Sequence, residues 1–174
     1  MNPQRERGIR AEREACAILT EALGVDVRRR ANEGIRLDIG DLVGVPDTTV
    51  QVSAVPDNPT IIAKRATGKI VDVAAQAMRA GTAHAVVVLR VDGGHWRAVV
   101  DTAHLHALDP RMARGAPAVD DNLTPGVVIR WAPSFAGGRW VYIPRTDMWA
   151  NTLDEWARDL RQPRLPPTTT TGQP

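Results

Sequence analysis

Cysteine is almost absent from this chain: Cys16 stands alone, which excludes an internal disulfide and any cysteine-built zinc cluster. Lysine is nearly absent as well, with Lys64 and Lys69 set against twenty arginines. Phenylalanine and tyrosine occur once each, so five tryptophans supply most of the aromatic packing. No apolar run reaches the length of a membrane span. The longest, around Ala85 to Leu89 and Val127 to Ile129, are the length of strands, so no membrane partner is expected. The chain is charged from Arg5 onward with no apolar signal segment, and a cytoplasmic setting is the expectation. Internal repeats and glycine-rich phosphate loops are also missing, since Gly93-Gly94 and Gly137-Gly138 read as turn glycines.

What is present suits one domain. At 174 residues the chain can bury a real core but not two comfortable ones. The net charge is only +2, yet residues 1–36 hold eight arginines against six carboxylates. Arg28, Arg29 and Arg30 are consecutive, and with Arg10 they form a candidate phosphate-binding group, because guanidinium matches phosphate oxygens two at a time. The plainer alternative is a solvated, arginine-rich surface in the product of a GC-rich genome. Both readings stay open at this level.

The spacing predicts a helix over 5–23, with Ile9, Cys16, Leu19 and Leu23 as its apolar stripe and Gly24 as its stop. Strands are expected at 25–30, 37–45 and 48–55, the last two separated by Pro46-Asp47. A loop through Pro56, Asn58 and Pro59 leads to a helix over 69–80, ended by Gly81. His84 to Val91 reads as the central strand, followed by a strand over 96–100 and a short helix through Leu108. Residues 109–125 read as a loop or linker. Beyond it, 127–131 and 140–143 are expected to form a hairpin, and Thr146 or Asp147 to cap a last helix carrying Trp149, Leu153, Trp156 and Leu160. Four tryptophans follow residue 130; they serve either a small core under this hairpin and helix or a docking surface for a partner. The tail, 162–174, is a low-complexity Pro/Thr segment. The fold class is therefore α/β: a small mixed central sheet flanked by helices over 1–108, and a hairpin-plus-helix extension over 126–161 packed on it.

Three short motifs sit on this framework. Gly8-Ile9-Arg10-Ala11-Glu12 lies on the first helix, Asp41-Leu42-Val43-Gly44-Val45-Pro46 in the hairpin, and Val50-Gln51-Val52-Ser53 on the following strand. Gln76 lies on the second helix. In this order they resemble the PD-(D/E)XK nucleases, in the branch of phage and archaeal Holliday-junction resolvases, across roughly residues 5–108. The resemblance implies a restriction-endonuclease-like core, DNA as ligand, a twofold dimer, and Mg²⁺ held by Glu12 and Asp41. In such sites carboxylates bind the metal that activates water, and a lysine two residues along the strand reaches the same place.

The chain departs from that pattern where it matters most. Gln51 stands where the resemblance requires a carboxylate, and Ser53 where it requires the lysine; both are neutral. Lys69 is the candidate replacement, with Lys64 behind it, although a surface lysine near a helix end explains Lys69 equally simply. Asp38 reaches the same face as Asp41 only if Gly40 forms a bulge. His104 and His106, two apart on a short helix, do not face one another. Asp120-Asp121 reads as solvated loop and Cys16 as core. The expectation is a resolvase-fold protein that no longer cleaves, reused for DNA binding or as a structural part of an assembly, with a phage head-to-tail position in the virion as one such use. The alternatives are an active Mg²⁺-dependent endonuclease with a rearranged site, and an accessory factor that binds protein.

Overall fold

The structure is a computed structural model that describes residues 3–30, 39–108, 120–136 and 139–162. Asp38, most of the linker and the Pro/Thr tail lie outside the described residues. Helix α1 (Pro3–Leu23) buries Ala11, Ala15, Leu19 and Leu23. The stripe is thus turned from the expected one, and Ile9 and Cys16 are only half-buried. Alanine takes the inward positions because a methyl side chain lets the helix axis lie close to the sheet.

The short strands β1 (Arg28–Arg29) and β2 (Leu42–Val43) lead into β3 (Thr48–Val55). Helix α2 (Pro59–Ala80) then crosses to β4 (His84–Val91), which turns into β5 (His95–Asp101) and helix α3 (Thr102–Leu108). Helix α4 (Pro125–Ala136), strands β6 (Val141–Ile143) and β7 (Met148–Thr152), and helix α5 (Leu153–Arg161) complete the described chain. The strands form one seven-stranded mixed sheet in the order β1-β2-β3-β4-β5-β7-β6. Only β3 and β4 run parallel; every other neighbouring pair is antiparallel. The α/β class, the mixed central sheet and the C-terminal hairpin with its helix are as the sequence leads one to expect.

The strands expected at 25–30 and 37–45 shrink to β1 and β2 among the described residues, and three further segments differ for local reasons. Helix α2 begins ten residues earlier than periodicity suggests. Asn58 caps it, its Oδ1 accepting the N–H groups of Thr60 at 3.0 Å and Ile61 at 3.3 Å, and Pro59 opens the first turn. The Asn-Pro pair is a helix start and not a loop. Lys69 consequently lies in mid-helix. Residues 127–131 are helical, not a strand: Pro125 starts α4, and Val128, Ile129 and Ala132 bury one helical face that an apolar β-branched run had disguised. The expected last helix splits, because Met148–Thr152 pairs along β5 as β7 and Thr152 Oγ1 caps α5 by accepting the N–H of Glu155.

Side chains alternate cleanly across the sheet. Val50, Val86, Val88, Ala98 and Val100 face α1 and α5, while Val55, Val87, Leu89, Val91 and Val99 face α2 and α4. Trp140, Trp149 and Trp156 join the first of these cores beside Leu19 of α1, whereas Trp131 is exposed with the Arg130 guanidinium 4.8 Å from its ring centre. Each buried indole N–H finds an acceptor: Trp140 donates to Asp159 at 2.7 Å, Trp149 to Thr102 Oγ1 at 2.9 Å, and Trp156 to His104 Nε2 at 3.4 Å. Because His104 Nε2 accepts, its Nδ1 carries the proton and donates to the Ala85 carbonyl at 2.8 Å.

The second core contains one charged residue. Arg97 is 8% exposed, and its guanidinium donates to three carbonyls: Ile129 at 3.2 Å, Arg130 at 2.9 Å and Trp96 at 3.0 Å. Pro133, four residues after Ile129, has no N–H to return to the helix, so the Ile129 carbonyl loses its regular donor and Arg97 supplies another. Close packing marks the other end of α4. A Cβ on Gly126 would sit 1.7 Å from the Pro59 carbonyl oxygen at the start of α2. Two expected outcomes follow. Arg97→Met leaves the Ile129 carbonyl orphaned and lowers stability by about 1–3 kcal/mol, read as a lower urea midpoint. Gly126→Ala also lowers the midpoint, although in an open helix the same change raises stability by about 1 kcal/mol.

Candidate functional site

The site that the motifs define is built where β2 and β3 diverge. Gly40, at φ +96°, directs the chain into β2, and a Cβ there would lie 2.8 Å from Thr49 Cγ2 and 3.0 Å from the Val50 carbonyl oxygen. Asp41 follows. Its backbone N–H donates to the Val50 carbonyl at 2.8 Å, and its Oδ2 accepts the Val52 N–H at 2.7 Å. The carboxylate therefore takes the place of a missing ladder partner and fastens the edge of β3 at the fork.

Gln51 and Ser53 flank Val52. Their register opposite Val87 and Leu89 puts both on the α2 face of the sheet. Gln51 is 7% exposed, and its Oε1 has no hydrogen-bond partner among the described residues. A buried acceptor with no partner costs about 1–3 kcal/mol. Gln76 is buried on the face of α2 that covers the same layer. Lys69 lies seven residues before Gln76 on the same side of α2, 28% exposed, with its Nζ 3.9 Å from Asp72 Oδ2. Lys64 is exposed further around the helix.

Glu12 is on the opposite side. Its Oε2 accepts from Arg29 Nε, an ion pair that ties α1 to β1. Glu14 is bound in the same way to β4 through Arg90 Nε at 2.6 Å, with Arg10 Nε 3.7 Å from its other oxygen. Arg28 reaches across its own loop to Asp26 at 2.6 Å; that contact holds the Asp26 carboxyl below, and the Arg28 guanidinium above, their ordinary values. Arg30 donates its backbone N–H to the Asp41 carbonyl, and its Nε is buried without a partner among the described residues. Of the four candidate phosphate-binding arginines, then, Arg10, Arg28 and Arg29 already face carboxylates.

The sheet thus separates the residues expected to meet at a metal. Asp41 is at the β2–β3 fork, Gln51 and Ser53 are on the α2 face, and Glu12 is on the α1 face with Arg29. This donor set does not fit Mg²⁺, which favours several hard, charged oxygens around one point: one carboxylate is held by a guanidinium, another spends an oxygen on a backbone N–H, and the third position is a neutral amide. Among the described residues no three His, Cys, Asp or Glu side chains stand together as a metal site. His104 is committed to Ala85 and Trp156, and His106 is exposed on the far side of α3. Asp120 holds a turn, accepting from the Asn122 N–H at 2.9 Å and its side-chain amide at 2.8 Å.

Sequence reasoning passed over Arg97 and Arg90, each isolated in an apolar strand. A charged residue within a strand that is otherwise buried was the available signal. Neither a scan against protein-family models nor searches of characterised proteins and solved structures return a match to this chain.

Cys16 offers a way to test the Glu12–Arg29 pair. Burial raises its thiol pKa above the ordinary value, the Glu12 carboxylate raises it further, and Arg29 pulls it down. At pH 8 wild-type Cys16 is expected to react with iodoacetamide more slowly than an unhindered thiol, because less of it is thiolate. Glu12→Gln removes one raising influence and leaves Arg29, so the pH midpoint of alkylation moves down and the rate at pH 8 rises. An unchanged midpoint would place the Glu12 charge away from Cys16.

Proposed function

We propose that this chain is a resolvase-like domain that binds DNA without cutting it. The observation that carries this reading is Gln51. A buried neutral amide with an unmatched carbonyl oxygen stands on the strand beside Asp41, where the resemblance calls for a carboxylate. The surrounding framework supports it: a helix, three antiparallel strands, a crossover helix and a parallel strand, in that order. Cleavage needs charge placed at the scissile phosphate. A site that has exchanged two charged groups for an amide and a hydroxyl, and bound its helix carboxylate to Arg29, has lost that capacity while keeping the fold. Arg10 and Arg28, both exposed, are cations available for phosphate contacts, with their present carboxylate partners as competitors.

A second reading is use as a structural part of an assembly such as a phage particle, favoured by exposed apolar side chains on α2 and by Trp131. In that case DNA affinity is absent.

The test combines anisotropy titrations of a duplex and a four-way junction with a cleavage assay in Mg²⁺ and in Mn²⁺. The expected result is binding that weakens with salt, no cleavage, and a log–log salt slope smaller by about one unit in Arg28→Ala. Cleavage that disappears in Asp41→Ala would overturn the reading in favour of an active enzyme rebuilt around other residues. Salt-insensitive or undetectable binding would leave the structural role.

A further inference from the structure

Two histidines are buried beside the tryptophan core, and one of them is fixed in a single protonation state by its partners. His84 is 5% exposed and His104 3%, with ring centres 4.7 Å apart. A carbonyl oxygen can only accept, and an indole N–H can only donate. His104 Nδ1 therefore donates to the Ala85 carbonyl at 2.8 Å, while its Nε2 accepts from Trp156 Nε1 at 3.4 Å. The Trp156 ring is fully buried and meets the imidazole edge-on, 6.3 Å between centres. An imidazolium carries N–H on both nitrogens, so a proton at Nε2 would set one donor against another. Neither partner can reverse its role.

The charged and titratable groups on the surrounding described elements do not relieve this conflict. On β4 the neighbour is His84, and a charge on either ring would stand beside the other. On β5 it is Asp101, whose Oδ1 is spent on the His104 backbone N–H at 2.7 Å. Strand β7 carries no titratable side chain. On α5, Asp159 accepts from Trp140 Nε1 and Glu155 binds Arg158. His106, on α3 itself, is exposed on the far side.

We propose that His104 and Trp156 form a proton-operated latch for α5. A proton taken from solvent by Nε2 deprives the indole N–H of its acceptor, and the new cation needs water. Trp156 gives way, and α5 leaves its seat against Ala15 and Leu19 of α1. The pivot is Thr152, where β7 runs directly into α5 and Thr152 Oγ1 caps the helix. Strand β7 stays paired with β5 and β6, and α5 is the last described element, so the sheet need not open with it. The latch goes beyond DNA binding, and its test contains no nucleic acid.

The direction with pH follows from proton uptake. Undocked His104 takes up a proton near the ordinary imidazole value of about 6.5, and docked His104 does not. Docking is therefore at full strength above that pH and weakens as the pH falls below it. Hydrogen exchange of the full chain, read peptide by peptide at pH 7.5 and pH 5.0 and corrected for intrinsic rates, decides the question. One such proton raises the opening of α5 by about thirtyfold at the lower pH, with β4 and β7 still protected. His104→Gln keeps an oxygen for the indole N–H and cannot titrate, so its α5 opens equally at both pH values. If that variant does not fold at pH 7.5, His104→Asn takes its place, with an amide N–H where Nδ1 stood. His84→Gln retains the acid response. Equal protection of wild-type α5 at both pH values overturns the proposal. So does a response that survives in the non-titrating variant, one that disappears in His84→Gln, or an opening that reaches β4 and β7 together with α5.

Discussion

Eight consecutive residue pairs join β3 to β4 in parallel, from Thr48 opposite His84 to Val55 opposite Val91. A parallel pair cannot be closed by a tight turn; it requires a long crossover, and α2 supplies it. The register runs without a slip, so the two faces of the sheet stay distinct along the whole pair. Val50 and Val86 meet α1, while Val87 and Leu89 meet α2. The direction of Gln51, opposite Val87 on the face that α2 covers, depends on that one uninterrupted pairing. Had the register shifted by a single residue, the side chains of one strand would have changed faces relative to the other.

Three arginines serve here as structural donors. Arg29 and Arg90 fasten α1 to β1 and β4 through Glu12 and Glu14, and Arg97 supplies the Ile129 carbonyl with the donor that Pro133 lacks. A planar guanidinium with five N–H groups suits each task, since it can meet several oxygens from one fixed position where an ammonium offers a single point. The excess of arginine over lysine in the chain therefore has a role inside the fold, in addition to any at its surface.

The strands β3 and β4 were legible from sequence to the residue, because β-branched runs bounded by Pro46-Asp47, Pro56 and Asp92-Gly93-Gly94 admit few other readings. The helix at 125–136 was not. Val127-Val128-Ile129 has the composition of a buried strand, and only its place behind Thr124-Pro125 reveals a helix start. Trp149 was misassigned because a spacing of four from Leu153 suits a helix, while a strand that runs straight into a capped helix brings both side chains to the same core. The candidate site was readable as residue identities and not as geometry. Nothing in the spacing of Glu12, Asp41 and Gln51 says that the sheet passes between them, nor that Arg29 would take up the Glu12 carboxylate.

The first and last described helices share a core. Ala15 and Leu19 of α1 pack in one cluster with Leu153, Trp156 and Ala157 of α5. On a ribosome the chain emerges from its N-terminal end, so α1 and the strands it packs on appear well before α5, which lies beside α1 in the same core. Until α5 has left the exit tunnel, the tryptophan half of the core lacks a wall, and the order of synthesis runs against the order in which that half can close. Vectorial synthesis thus leaves the closing of this half of the core to the end of the described chain, when α5 brings Leu153, Trp156 and Ala157 to the side chains of α1.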